Sequence, residues 1–331
     1  MAPRSGVAVE GLTVTVGIVT WRRPEFLRET LEHLSRQRVP VEQVLVVVAA
    51  DDPGAAVVDS LGWVTKLEST EVGGHRTRAR NEALLHASSE IIAFLDDDAY
   101  PRADWSANLK AAFADPTVAA VAGRTCDGLP GEEHRGVDAV GQLRSDGELT
   151  GNFAADTRRV IDVEHGIGAN MAFRRSVLAD LGGMRDDFPG TALREETDLF
   201  LRVRATGGRV VFAPDVIVDH VGAPHMSGRR FDWRYMFWAR HNHVLLLARN
   251  YGLASPLLRR WLVLNVREIV RLPGPGGPLR RLIRGGLGFG ALLAGLATSL
   301  PKARVGPRDP RRVDSVGKHI TAALTSTSTA P

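Results

Sequence analysis

Three consecutive aspartates, Asp96, Asp97 and Asp98, follow a run of five apolar residues at positions 91–95. Such a run is typical of a buried strand in a sheet that is covered on both faces. Because like charges this close repel each other, the triplet favours a chemical role over a stabilising one. A divalent cation such as Mg²⁺ or Mn²⁺ would offset the repulsion, since hard cations prefer oxygen ligands. The alternative is an acidic, solvated turn closed by Pro101.

A second acidic group, Glu195-Glu196-Thr197-Asp198, stands at the start of a predicted helix. The helix dipole keeps a carboxylate ionised at this position, as a general base at neutral pH requires. Ordinary helix capping by the same residues is the alternative. The residues by themselves leave open which of the three carboxylates would act.

Three arginines, Arg76, Arg78 and Arg80, occupy the first turns of another predicted helix, beside Asn81. Two glycines at positions 73–74 leave the N-terminus of this helix bare, which favours an anion such as phosphate. These arginines therefore predict contacts with phosphate or nucleotide, and a solvated helix face is the alternative.

Single candidates end two other predicted strands. Asp51 and Asp52 follow the second strand, at an end where a carboxylate could meet a ligand; Asp51 is the preferred residue, and Asp52 could instead cap the turn at Pro53. His220 ends a late strand and could be a further metal ligand, since imidazole is an acceptable ligand for Mn²⁺. A structural histidine is the alternative.

The elements that must position these side chains alternate between strands and helices. Strands are predicted at residues 13–20, 44–50, 91–95 and 118–124, with helices between them. This alternation predicts a parallel α/β sheet with right-handed crossovers. Ligands of such sheets bind beyond the carboxyl ends of the strands, which is where the aspartate triplet falls.

Composition excludes several classes of protein. The single cysteine, Cys126, excludes an intramolecular disulfide and a thiolate metal cluster. Residues 226–331 carry 18 Lys and Arg against 4 Asp and Glu, whereas residues 1–225 carry 24 against 34. A uniformly basic nucleic-acid binder would not divide its charge in this way. An acidic catalytic part and a basic C-terminal third that contacts anionic lipid are the better interpretation.

We therefore divide the chain into a catalytic domain (1–225), a basic helical, membrane-associated region (226–300) and a disordered tail (301–331). The first eleven residues lack the apolar segment of a signal peptide, which predicts a cytoplasmic protein on the inner face of the cell membrane. Residues 285–300 carry no charge but are fewer than the roughly 20 that span a bilayer. They predict an interfacial or re-entrant helix, with a buried soluble helix as the alternative.

Four segments, in this order, resemble motifs of the family 2 glycosyltransferases. They are TWRRP at residues 20–24, the block from GG to IIAFL at 73–95, GANMAFR at 168–174 and EETDL at 195–199. The resemblance covers residues 14–220. It implies the GT-A fold, a Rossmann-like α/β fold with a mostly parallel central sheet flanked by helices, to which this chain adds a C-terminal helical extension.

The resemblance also implies an activity: inverting, metal-dependent transfer of a sugar from a nucleotide-diphosphate donor to a glycan, lipid-linked or other hydroxyl acceptor. The base would be Glu196, where the family has Asp, with Asp198 and Glu195 as alternatives. Mn²⁺ or Mg²⁺ would be held by Asp98, Asp96 and His220. The residues that would contact the nucleotide sugar are Thr20, Arg23, Asp51, Arg80, Asn81, Asp96 and Asp97. The residues on the acceptor side would be Gly168, Asn170 and Met171.

Three other functions fit the residues less well. A haloacid-dehalogenase-type phosphatase needs Thr or Val two residues after its second Asp, and Ala99-Tyr100 stand here instead. A sugar nucleotidyltransferase would show a glycine-rich loop after its first strand, where this chain has residues 21–24, WRRP. A non-catalytic, membrane-docked module whose acidic triplet only holds a cation is the third alternative.

Overall fold

The computed structural model describes residues 11–73, 75–222, 232–271 and 278–303. The strands are β1 (Val14–Val19), β2 (Gln43–Val48), β3 (Thr65–Glu68), β4 (Ile91–Asp96), β5 (Ala99–Pro101), β6 (Val118–Cys126), β7 (Ile161–Asp162), β8 (Asn170–Arg174) and β9 (Arg209–His220). The helices are α1 (Pro24–Ser35), α2 (Gly54–Asp59), α3 (Arg76–His86), α4 (Trp105–Ala112), α5 (Arg175–Leu181), α6 (Glu195–Ala205), α7 (Trp233–Tyr251), α8 (Pro256–Arg271) and α9 (Pro278–Ala303).

The strands form one sheet in the order β3-β2-β1-β4-β8-β6-β9-β5, with β7 paired to β9. The half built from β1 to β4 is parallel, as the alternation predicts. In the other half β8 lies antiparallel between β4 and β6, while β6 and β9 pair in parallel. The α/β class is therefore confirmed, but the sheet is mixed rather than mostly parallel. The late strand that ends at His220 is β9, a continuous strand of 12 residues.

Helices cover both faces of the sheet, which explains the continuous apolar run in β4. Ile92 and Phe94 face a core built with α3, α5 and α6. Ile91, Ala93 and Leu95 face a second core built with α1, α2 and α4. Since both faces of β4 are buried, the polar end of the strand is the part that can meet a ligand.

The C-terminal helices form a separate cluster, with a core that includes Leu247, Trp261 and Leu292. Helix α9 begins at Pro278, earlier than the predicted start at residue 285, and it continues through residue 303. Its apolar window, Leu282–Leu300, has 19 residues and is 28% buried. By length and composition alone this window could cross a membrane, and it is longer than the uncharged stretch at residues 285–300. The predicted boundary at 225/226 and tail residues 304–331 lie outside the described residues.

Helix α7 attaches this cluster to the segment that precedes α6. The side-chain amide of Asn242 donates to the carbonyl of Pro189 over 3.1 Å, and Arg249 forms an ion pair with Asp187. The side-chain amide of Asn250 donates to Asp198 over 2.9 Å. The C-terminal cluster therefore supports the start of α6 directly.

Candidate active site

Two strand ends bring Asp96, Asp98 and His220 together. Asp96 ends β4, and the short strand β5 pairs with the end of β9 so that Ala99 lies opposite His220. One ligand atom from each of the three side chains lies within 4.8 Å of the others. His220 Nε2 is 3.4 Å from Asp98 Oδ1, and Asp127 Oδ1 is 3.3 Å from His220 Nδ1. Two carboxylates and one imidazole make a donor set that fits Mn²⁺ or Mg²⁺.

The affinity of this cluster for a metal is expected to depend on pH. The hydrogen bond to Asp98 raises the pKa of His220 to about 9, although burial opposes it. At neutral pH a proton therefore competes with the metal for the imidazole, so affinity should rise by about tenfold per pH unit up to that pKa. Calorimetric Mn²⁺ titrations from pH 6.5 to 9 measure this slope. A flat profile would contradict coordination by His220, and His220→Asn should show a flat one.

The middle aspartate, Asp97, is not part of this cluster and holds the first loop. It is fully buried, accepts a hydrogen bond from the Thr20 hydroxyl over 2.7 Å, and pairs with Arg23 at the same distance. Burial raises the pKa of Asp97 to about 7, and the charge of Arg23 opposes this. Thr20 and Asp97 thus sit behind the surface that faces a donor. Arg23 also reaches Asp98 over 3.3 Å and stays at the site.

Arg80 links the metal cluster to the second acidic group. It is 2% exposed, and its guanidinium contacts Asp96 over 2.9 Å, Glu196 over 3.2 Å and Glu195 over 3.4 Å. It also donates to the carbonyl of Gly168 over 3.4 Å. One buried cation therefore fixes the carboxylate at the end of β4 relative to those at the start of α6.

Two adjacent carboxylates at the start of α6 have different protonation behaviour. Burial and the neighbouring charge of Glu196 raise the pKa of Glu195 to about 8. Burial also acts on Glu196, but the charges of Arg76 and Arg80 outweigh it and lower the pKa of Glu196. These opposite pKa directions favour Glu196 over Glu195 as the ionised member of the pair, and a base needs the ionised form.

Asp198, the third carboxylate of this group, is fully buried. It accepts hydrogen bonds from Arg185 and Asn250, both over 2.9 Å. The first turn of α6 is anchored in this way to the loop before it and to α7. Because Asp198 is buried and makes these contacts, its position fits stabilising the start of α6 better than acting as a base.

Three residues predicted to contact ligands are instead packed inside the protein. The Asn81 amide bonds to both the backbone N–H and the carbonyl of Met184. Asn170 accepts from the Trp105 indole and donates to two backbone carbonyls, and Met171 is 1% exposed. These placements conflict with direct donor contact by Asn81 and acceptor contact by Asn170 and Met171, because their polar atoms are satisfied or their side chains are covered.

Asp52 rather than Asp51 organises the end of β2. Asp52 is buried and accepts from the backbone N–H groups of Arg22 and Gly54, which is the capping alternative weighed above. Asp51 is exposed at the same edge as Asp96. It therefore remains the carboxylate at this strand end that can meet a nucleotide.

The arginines of α3 divide between two tasks. Arg78 forms ion pairs with Asp186 and Glu71, at 3.0 and 3.3 Å, and holds the surrounding loops. Arg76 is partly exposed and contacts Glu195 over 3.4 Å. Gly74 and His225 lie outside the described residues. Of the three arginines, Arg76 and Arg80 face the acidic pair.

Gly168 provides the space that Arg80 and Glu196 occupy. A Cβ atom at this position would collide with the guanidinium of Arg80 and with Glu196 Oε1. We expect Gly168→Ala to lower kcat by about 100-fold, since displacing a catalytic group by about 1 Å has effects of this size. Gly151→Ala is the control, because nothing stands within 4 Å of its Cβ position. If Gly168→Ala transfers sugar at the rate of this control, the packing argument is wrong.

Sequence reasoning missed the role of two residues at this site. Asp127, which supports His220, lies in a loop-rich stretch without a legible motif. Gly147 lies in the same stretch, with a positive φ of 87° and its Cβ position against Trp261, and it marks where the stretch packs on α8. A lone glycine is a weak signal, and nothing in the local sequence distinguishes Asp127 from other loop aspartates.

Comparison with known proteins agrees with this geometry. The profile of glycosyl transferase family 2 matches residues 15–182. The succinoglycan biosynthesis protein ExoM of Rhizobium meliloti is 30% identical over 259 residues, which are 76% of this chain and 80% of that protein. The pre-mycofactocin glycosyltransferase of Mycobacterium tuberculosis is 32% identical over 181 residues, which are 53% of this chain and 37% of that protein.

Solved structures share the fold at lower identity. The mannosyltransferase PcManGT from Pyrobaculum calidifontis, in complex with GDP-Man and Mn²⁺, has a TM-score of 0.55 at 22% identity. The superposition covers 96% of this chain and 86% of PcManGT. GalNAc-T7, with UDP, GalNAc and Mn²⁺, has a TM-score of 0.58 at 15% identity. The superposition covers 88% of this chain and 57% of the GalNAc-T7 chain. The sheet, the acidic site and these likenesses define a glycosyltransferase of the GT-A fold. The chain belongs to glycosyl transferase family 2.

Proposed function

We propose that this glycosyltransferase is an inverting, metal-dependent enzyme that uses a nucleotide-diphosphate sugar. The observation that carries the proposal is Arg80, whose guanidinium lies between Asp96 of the metal cluster and Glu196. An inverting transfer needs the leaving group and the base on opposite sides of the reacting carbon. Because the buried Arg80 contacts both Asp96 and Glu196, it would fix the position of the proposed base relative to the proposed metal site.

Each residue at the site has a proposed task. Asp96, Asp98 and His220 would hold Mn²⁺ or Mg²⁺, which when bound neutralises charge on the leaving diphosphate. Asp51 at the end of β2 would contact the nucleotide, and Arg23 would orient Asp98. Glu196 would accept the proton of the acceptor hydroxyl.

Thermal-shift measurements test the donor side of the proposal. Purified protein is screened with nucleoside diphosphates and their sugars, with and without Mn²⁺, because a ligand that binds only the native state raises Tm. We expect at least one nucleotide to raise Tm only when Mn²⁺ is present, and Asp98→Ala to lose that response. Absence of any such response in the wild type would refute a metal-dependent donor site.

We further propose that the enzyme works on a cytoplasmic membrane surface, with a lipid-linked or cell-envelope glycan as acceptor. The exposed faces of two C-terminal helices, α8 and α9, support this part of the proposal. One stripe of exposed residues along α9 is apolar or glycine, and Arg284 is exposed outside it near the start of the helix. The stripe consists of Leu282, Gly286, Phe289, Leu293, Ala297 and Leu300. Helix α8 exposes Val263, Val266 and Val270 beside four exposed arginines, at positions 259, 260, 267 and 271. An apolar face flanked by arginines is typical of a helix that lies in the interface of an anionic bilayer.

Binding to lipid vesicles tests this surface. Leu293→Glu is expected to lower partitioning onto phosphatidylglycerol vesicles by about tenfold or more, since it removes a leucine that contributes roughly 1.5–3 kcal/mol when buried. Leu129→Glu is the matched control, because Leu129 is 55% exposed and lies in the catalytic part. Wild-type protein that stays in solution with these vesicles at low salt would contradict membrane docking.

A further inference from the structure

Arg194, the residue before the acidic pair, has a strained backbone and an unpaired side chain. Its φ is +83°, in the left-handed region that non-glycine residues rarely adopt, and Ala192 two residues earlier has φ +54°. Its Nε atom is buried without a hydrogen-bond partner. Among the residues that the structure describes, no hydrogen bond or ion pair reaches its guanidinium. Strain of this kind persists where the surrounding fold enforces it, and such positions cluster at functional sites.

The surroundings of Arg194 are polar but do not neutralise it. Burial lowers the pKa of Arg194, while Tyr235, Glu148 and Glu196 are near enough to raise it. Glu148 is occupied by the Asn265 amide over 3.3 Å, and burial raises its own pKa. Arg194 is only partly buried, and no counter-charge among the described residues bonds to its guanidinium, which leaves the group able to pair with an anionic ligand.

Two buried histidines lie beside this guanidinium and stay neutral. His165 bonds to the Thr150 carbonyl over 2.9 Å, and burial lowers its pKa to about 4, with the charge of Arg194 contributing. His243 is 1% exposed; its Nε2–H donates to the Gly147 carbonyl over 2.8 Å, and its Nδ1 is buried without a partner. Because burial lowers the pKa of both histidines, the two imidazoles add no second positive charge near Arg194.

We propose that Arg194 binds an oxyanion of the acceptor, a phosphate ester or a carboxylate, next to the hydroxyl that receives the sugar. This inference rests on the proposed transfer reaction and names the chemical class of its acceptor. A guanidinium matches the planar, bidentate geometry of either oxyanion. Because Arg194 and Glu196 both lie at the start of α6, an acceptor held by its anion on Arg194 would present a nearby hydroxyl to Glu196.

Binding of simple anionic sugars to metal-free protein tests the proposal. With EDTA present, the metal cluster cannot attract phosphate, so the donor side contributes little. The probes are glucose 1-phosphate and glucuronate, with uncharged glucose as the reference. We expect one or both anions, but not glucose, to raise Tm of the wild type. A response to the phosphate alone assigns a phosphate ester, and a response to glucuronate alone assigns a carboxylate.

Variants at position 194 separate recognition from support of the fold. Arg194→Gln should weaken the binding of the responding anion by about tenfold or more, the effect of a lost charge-assisted pair, and Arg194→Lys should retain part of it. Arg36→Gln, at a 69% exposed side chain, should bind as the wild type does. Without ligand, Arg194→Gln should melt close to the wild-type Tm, because no hydrogen bond or ion pair with the described residues is lost.

The outcomes that overturn the proposal are distinct from failure of the proposed donor site. Equal anion binding by wild type and Arg194→Gln overturns it, as does a wild type that responds to neither anion. A lower Tm for Arg194→Gln with unchanged anion binding would assign Arg194 to the fold alone. The Mn²⁺-dependent response to nucleotide must persist in Arg194→Gln, and its loss in Asp98→Ala tests the donor site independently.

Discussion

Replacement of Glu196 by Gln is expected to lower kcat for sugar transfer by about a thousandfold, within the range observed for loss of a general base. The Gln side chain keeps the size of Glu and can still contact Arg80, which lies 3.2 Å from Glu196 Oε1. It cannot accept the proton of the acceptor hydroxyl. Donor and metal affinity should therefore stay close to wild type. Steady-state transfer assays, combined with Mn²⁺ and nucleotide titrations, measure this separation.

Two neighbouring carboxylates serve as controls for Glu196. Glu195→Gln should lower kcat far less, because the Glu195 side chain is fully buried whereas that of Glu196 is partly exposed, and burial raises the pKa of Glu195. Asp198→Asn should mainly lower Tm, because Asp198 is buried against Arg185 and Asn250. If Glu195→Gln rather than Glu196→Gln abolishes transfer with intact donor binding, the base is assigned to the wrong residue.

The second large effect is expected for Arg80→Lys. Lysine keeps the charge but loses the fork that reaches Asp96, Glu196 and Glu195 at once. We expect kcat to fall by about 100-fold or more, because Asp96 and Glu196 would no longer be held in fixed positions relative to each other. Arg80→Ala is less informative, because an uncompensated buried carboxylate costs about 3–5 kcal/mol of stability.

Arg78→Lys is the matched control for this variant. Arg78 lies in the same helix but pairs with Asp186 and Glu71, outside the acidic pair. It should keep nearly all transfer activity. An Arg80→Lys enzyme as active as Arg78→Lys would show that the guanidinium is not the element that holds the site together.

Much of the fold follows from local sequence. The apolar run before Asp96 predicts a strand covered on both faces, and the structure places that strand between two cores. The early alternation of strands and helices predicts the parallel half of the sheet. These features are local, since periodicity and the position of a charge at a strand end depend on neighbours in sequence.

The remainder depends on long-range pairing. His220 meets Asp98 because β5 pairs antiparallel with the end of β9, and β8 lies antiparallel between β4 and β6. Asn81 and Asn170 match family motifs, yet their amides satisfy backbone groups inside the protein. A motif identifies a position in the fold, but only the packed structure shows whether its side chain faces a ligand.

The C-terminal cluster connects the proposed membrane surface to the base. Helix α7 contacts α9, and its Asn250 bonds to Asp198 in the first turn of α6. Asn242 holds the carbonyl of Pro189 in the preceding loop. The start of α6, and Glu196 with it, is therefore supported by the same helices that carry the exposed apolar stripe.

In the proposed enzyme, Asp96, Asp98 and His220 would hold the divalent ion to which the donor diphosphate binds. The most direct test is a calorimetric titration of Mn²⁺ into wild type and Asp98→Asn, at pH 8, with and without the nucleoside diphosphate that gives a thermal response. We predict binding to the wild type that tightens when nucleotide is present, and a loss of at least about tenfold in Asp98→Asn. Equal Mn²⁺ affinity in the two proteins would contradict the account.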